Sequence, residues 1–232
     1  MEHYLNFSNT NIWSEIWPEL ALALAAIVLL GIDLFRKSDK PIVSIGSLAI
    51  VFQAGLLIFH LFDYLAWHHT FDRETFSGML HQGIQGDVMR TFFLLSSLLV
   101  SVLGHQYLKN KKLRAGEFHH LTMLATAGLM LLVQSNHFIM LFVALETVAV
   151  CFYTLVAYNR ESAKSLEAGI KYLIFGALSS SLLLFGIVLL YGVAGNPEAW
   201  GANYIGFEGQ DPLGFQYLGN LLEANPDHLL LR

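Results

Sequence analysis

The sequence predicts an all-α protein: a polytopic transmembrane helix bundle of about six spans. Three observations predict it. First, the 232 residues are 55% hydrophobic and only 13% charged, against about 25% charged in an ordinary soluble domain. Second, the apolar residues gather in runs that approach the roughly 20 residues needed to cross hydrocarbon. Third, the basic residues fall in alternate loops, the pattern left by a chain threading back and forth.

The first run, 19–35, follows Pro18, which suits a first helical turn, and carries Asp33 near its far end. The second, 41–62, holds no Lys, Arg, Asp or Glu. The third is expected over 88–108, the fourth over 120–134, the fifth over 138–158 and the sixth over 166–194. All are too long for strands, and backbone facing lipid must satisfy its own hydrogen bonds, which favours helix.

Loop charge sets the orientation. Arg36, Lys37 and Lys40 follow the first span. Lys109, Lys111, Lys112 and Arg114 follow the third, and Arg160 and Lys164 the fifth. These nine of the 13 basic residues share one side, and the positive-inside rule makes that side cytoplasmic with both termini outside. Arg73, Arg90 and Arg232 fall on the opposite side, and Lys171 lies within the sixth run. The residues before the first run include Glu2 and Glu15 but no Lys or Arg, the reverse of a signal-peptide n-region.

Outside the spans, 63–87 reads as an outer loop rich in aromatics. Its His68–His69 pair is a poor metal site, because adjacent side chains point apart. Residues 195–232 read as a non-cytoplasmic loop, with Leu229-Leu230-Leu231 opening a seventh apolar segment. Cys151 is the lone cysteine, so neither a disulfide framework nor a cysteine metal site is expected. Glu19 and Asp33 are expected at the interface, as are His60, His105, His119, His120 and His137, all near span ends.

Glu146 is the residue that points to function. It stands in mid-span with no other formal charge between Phe138 and Tyr158. A carboxylic acid there costs roughly 2.5–3.5 kcal/mol on insertion scales and cannot reach a headgroup, so an ion or proton site is the default reading. The bland alternative is a protonated carboxyl hydrogen-bonded to a neighbouring helix. Lys171, early in the sixth span, is either an interfacial lysine or a partner for Glu146 across the hairpin. Glu167 precedes it by four residues, the spacing of a favourable helix pair.

Around these residues lies a resemblance. Leu141-Phe142-Val143-Ala144-Leu145-Glu146, Tyr153-Thr154-Leu155-Val156-Ala157-Tyr158, Ser165-Leu166-Glu167-Ala168-Gly169-Ile170-Lys171-Tyr172 and Gly176-Ala177-Leu178-Ser179-Ser180-Ser181 resemble the fifth and sixth helices of subunit N of bacterial NADH:quinone oxidoreductase, respiratory complex I. Trp17-Pro18-Glu19-Leu20 and Asp33-Leu34-Phe35 resemble that family's opening helix. Where the family often has serine and proline after the glutamate, this chain has Ala149 and Cys151, so a straighter helix is expected there. Family members are considerably longer and carry further lysines on later spans.

The resemblance implies a subunit that helps translocate protons during quinone reduction in a bacterial inner membrane, with Glu146 and Lys171 as a switchable pair and Glu167 in support. It implies other membrane subunits as partners, with FMN, iron–sulfur clusters and quinone held by partner subunits and no cofactor in this chain. Consistent with that, the sequence has no dinucleotide-binding glycine pattern. The isolated chain is not expected to be catalytic. The rival reading is a subunit of a multisubunit monovalent cation/proton antiporter, and nucleic acid is not an expected partner of either.

Overall fold

The computed structural model describes residues 13–35, 45–67, 73–111, 116–196 and 211–224. A short 3-10 turn, Trp13–Glu15, leads into α1 (Trp17–Phe35) and α2 (Ile45–Trp67). A two-stranded antiparallel ribbon follows, β1 (Arg73–Thr75) with β2 (Leu80–Gln82), and then α3 (Ile84–Lys111), α4 (Gly116–Gln134), α5 (Phe138–Val156), α6 (Ala163–Ala194) and α7 (Phe215–Ala224). The basic residues Arg36, Lys37, Lys40, Lys112 and Arg114 lie outside the described residues, as do His68, His69 and Leu229–Arg232. The placement of both termini therefore rests on sequence.

Among the described residues, five helices are long and apolar enough to cross a bilayer: Trp17–Phe35, Gly46–Tyr64, Ile84–Asn110, Phe138–Val156 and Ala163–Ala194. The chain is thus a multi-pass membrane protein with an α-helical bundle. The expected fourth span, now α4, falls short of that apolarity because it carries Glu117, His119, His120, Thr122, Thr126 and Gln134. It is also the most enclosed helix, with ten buried residues, and it packs against α1, α3 and α5. Its polar side chains face protein.

The apolar core joins α1–α4 through Leu22, Leu29, Leu56, Leu94, Met123 and Met130. Transfer from water cannot drive such packing inside lipid, so close approach through small residues carries more of it. A methyl added at Gly128 would stand 2.9 Å from Val148, and one at Gly169 would stand 2.5 Å from the Cβ of Ala157. The α4–α5 and α5–α6 contacts both depend on those missing side chains.

Two expectations for the outer segments need correction. Residues 63–87 are not simply loop: the ribbon turns through Phe76, Ser77 and Gly78, all at positive φ, and pairs Arg73 with Gln82 and Thr75 with Leu80. Residues 195–232 are not simply loop either, since α7 forms with Tyr217, Leu218 and Leu221 buried beside Ala194. Glycine, asparagine and proline around α7 obscure an apolar face spaced 217, 218, 221. The two additions converge on the α4–α5 junction. Asn136 N–H donates to the Met79 carbonyl at 2.8 Å, and Phe215 N–H donates to the Asn136 carbonyl at 3.0 Å. His137 then caps α5, its Nδ1 accepting from Ile139 N–H at 3.1 Å.

Candidate functional site

Glu146 occupies the middle of α5. Ala144, Val148 and Cys151 are the buried residues of that helix, and Ala144 and Val148 face Gly128 of α4. Glu146 lies on a different face. It precedes by two turns Tyr153, whose ring packs edge-on against Tyr172 of α6 with centroids 5.1 Å apart. The glutamate is half-buried, and its Oε1 is buried without a hydrogen-bond partner among the described residues.

The register of the α5–α6 hairpin then fixes what lies opposite. Ala157 abuts Gly169, and the Tyr153 hydroxyl abuts Gly176. Counting onward along antiparallel helices puts Glu146 level with Ser180 and Lys171 level with Leu155. At 1.5 Å rise per residue, Glu146 and Lys171 are about 13 Å apart along the axis. The expected direct pair across the hairpin is therefore not formed. Lys171 instead pairs with Glu167 on its own helix, both side chains being well exposed. Ser179, Ser180 and Ser181 donate back to the carbonyls of Phe175, Gly176 and Ala177, so the hydroxyl facing Glu146's level has already committed its proton.

A second charged constellation was not anticipated. Arg90, expected at the outer start of the third span, lies inside α3, and Glu19, expected at the interface, is 2% exposed. Arg90 Nε donates to Glu19 Oε1 at 2.8 Å and Nη1 to Asp87 Oδ1 at 3.0 Å. Its Nη2 donates to the Glu15 carbonyl at 2.8 Å and to Gln134 Oε1. Gln134 Nε2 donates in turn to Glu19 Oε1 at 2.6 Å. A cavity of about 420 Å³ opens beside the cluster, lined in part by His60, Asp63, Arg73, Asp87 and Arg90. A signal existed: Arg90, Ser97, Ser101 and His105 recur at helical spacing on α3.

The other end of the bundle gathers histidines. His119 is fully buried and His120 nearly so, against the expectation of solvated interfacial rings. The rings of His105 and His119 sit 5.7 Å apart, centroid to centroid. Among the described residues no three of His, Cys, Asp or Glu are placed to hold a metal ion.

Comparison with known proteins places these features. The family described as "NADH:quinone oxidoreductase/Mrp antiporter, TM" matches residues 135–205, the stretch holding Glu146, Glu167 and Lys171. NADH-quinone oxidoreductase subunit N 1 of Opitutus terrae is 45% identical over 99% of this chain and 44% of its own length. Subunit N of Xanthomonas euvesicatoria is 38% identical over 77% of this chain and 35% of its own. Among solved structures, respiratory complex I of Thermus thermophilus gives a TM-score of 0.59 at 25% identity, covering 90% of this chain and 43% of the matched one. An archaeal membrane-bound sulfane sulfur reductase shares the fold, with a TM-score of 0.60 at 23% identity over 82% of this chain and 40% of its own. The chain thus spans less than half the length of the relatives it matches.

Proposed function

Because the chain belongs to the NADH-quinone oxidoreductase subunit N family, we propose that it is part of a membrane subunit that translocates protons during quinone reduction. The observation that carries this reading is Glu146: a mid-span carboxyl with a buried, unpartnered oxygen, inside the stretch that matches the family. Such a group is expensive to hold in a bilayer and is retained where protons or ions move. Six spans in a bacterial inner membrane, with both termini outside, fit this reading and the charges of the loops. FMN, iron–sulfur clusters and quinone then sit in partner subunits, and this chain supplies proton handling alone.

Lys171 and Glu167 act on Glu146 at a distance. While they are paired, their charges nearly cancel. When the pair opens, the lysine charge acts on Glu146 across about 13 Å, worth about 1 kcal/mol at an effective dielectric near 20. That is roughly a fivefold change in proton occupancy, enough to bias uptake or release. Both partners lie on a face of α6 that the rest of the described chain leaves uncovered, so movement of a neighbouring subunit can open the pair.

The rival reading, a cation/proton antiporter subunit outside any redox complex, draws on the second half of the matching family's description. Affinity purification from native membranes separates the two. Recovery of NADH:quinone oxidoreductase activity with the chain is expected; recovery with other antiporter subunits alone would favour the rival. Within the redox complex, Glu146→Gln is expected to assemble normally and to move fewer protons per NADH.

A further inference from the structure

The seam between α2 and α3 carries polar side chains that neither the Arg90 cluster nor Glu146 uses. The two helices run antiparallel, and two contacts fix their register. His60 Nε2 lies 3.5 Å from the Asp87 carbonyl at one end, and Gly46 lies against the rings of His105 and His119 at the other. Midway between, Gln53 falls level with Ser97. His60, Gln53 and Gly46 repeat every seven residues, and Arg90, Ser97, Ser101 and His105 follow every four or seven, so each set keeps to one helix face.

Three of these groups, Gln53, Ser97 and Ser101, are sealed from outside and have no protein partner among the described residues. Gln53 and Ser101 are fully buried and Ser97 is 5% exposed. Neither the amide nitrogen nor the oxygen of Gln53 has a partner among the described residues, nor do the hydroxyls of Ser97 and Ser101 or either ring nitrogen of His119. A buried polar group without a partner costs about 1–3 kcal/mol, and such groups are ordinarily satisfied by ordered water. The buried core residues Leu22, Leu29, Met123 and Met130 border the seam on the α1–α4 side, and Leu56 and Leu94 of the same core stand on α2 and α3 between the Arg90 cluster and the Gln53 level, which confines any water to the polar side chains.

We propose that this seam is a water-lined proton route, separate from Glu146, running from the Arg90–Glu19–Gln134 cluster past Gln53 and Ser97 to His119. Its outer end meets the 420 Å³ cavity, which has room for several waters. There Arg90, Glu19 and Asp87 sum to one negative charge, which attracts a cation to the mouth. Its inner end leads through His119 and His120 toward Asp33, whose carboxylate lies against Gly116. Successive groups on α3 stand about 6–11 Å apart along the axis, and the longest step, from Arg90 to Ser97, has to pass buried Leu94. Each hop between waters breaks one O–H bond and forms another, and at His119 one ring nitrogen gains a proton as the other loses one; the waters and the ring then turn back to their starting orientation, so no co-reactant is needed.

The route rests on the reading that the chain works in a proton-moving assembly, but not on Glu146. The test uses the intact NADH:quinone oxidoreductase complex containing this chain. Pulsed radiolysis of water followed by mass spectrometry is expected to oxidise His119 and Met123 despite their full burial. Gln53→Leu combined with Ser97→Ala is expected to reduce that labelling several-fold and to lower the protons moved per NADH, while Gln53→Asn preserves both. Absence of labelling in the unaltered complex, which needs no variant, would overturn the proposal. So would full proton stoichiometry in an assembled Gln53→Leu/Ser97→Ala complex. Loss in this double variant with none in Glu146→Gln would sustain the route and refute the role given to Glu146; the reverse result would do the opposite.

Discussion

Two ion pairs of this chain, Arg90–Glu19 and Lys171–Glu167, have the same chemistry and opposite settings. Arg90 and Glu19 are 5% and 2% exposed at the meeting of α1, α3 and α4, with Asp87 accepting from Arg90 and Gln134 donating to Glu19 Oε1, while Glu19 Oε2 has no partner among the described residues. Lys171 and Glu167 are 65% and 63% exposed on one face of α6 and form an ion pair with each other. A buried charge cannot change partners without leaving another charge stranded in low dielectric. A pair on an uncovered helix face strands no third charge of this chain when it separates. The first arrangement therefore suits fixed architecture and the second suits a switch, and the matching family's stretch contains the second.

The largest effect should come from breaking the buried pair. Arg90→Met leaves Glu19 uncompensated, and a loss of about 3–5 kcal/mol is expected, read as a large fall in the thermal midpoint of the purified protein. Adding Glu19→Gln should recover part of that loss, because the stranded charge is gone. A midpoint unmoved by Arg90→Met would erase the contrast between the two regions.

A smaller effect should come from the α5–α6 hairpin, where contact rather than charge holds the helices. Gly169→Ala places a methyl 2.5 Å from the Ala157 Cβ, which forces the helices apart at a cost of about 1–3 kcal/mol. Equal stability with glycine or alanine at 169 would show that the hairpin is not closely packed there. The smallest effect on stability belongs to Lys171→Met, expected to cost no more than about 1 kcal/mol while changing proton translocation. A large stability loss from that substitution would make the pair structural, and the comparison would fail.

Much of the bundle could be read from the sequence, because apolar run length and loop charge report on lipid directly. The spans 138–158 and 166–194 lie close to α5 and α6, and Glu146 and Lys171 were visible as charges among apolar residues. The Arg90 cluster was not. Its members come from α1, α3 and α4, and a residue near a span end looks the same whether it turns to a headgroup or inward. The axial offset of Glu146 and Lys171 was hidden for a related reason. It depends on which small residues meet across the hairpin, Gly169 with Ala157 and Gly176 with Tyr153, and sequence spacing alone does not fix that register.

The proposed function depends most directly on proton handling by Glu146. The direct measurement is the number of protons moved per NADH oxidised by the assembled complex in sealed vesicles, compared between Glu146 and Glu146→Gln at matched NADH:quinone turnover. A lower ratio is predicted, with Glu146→Asp retaining more of it than the glutamine variant. An unchanged ratio in a fully assembled Glu146→Gln complex would contradict the claim.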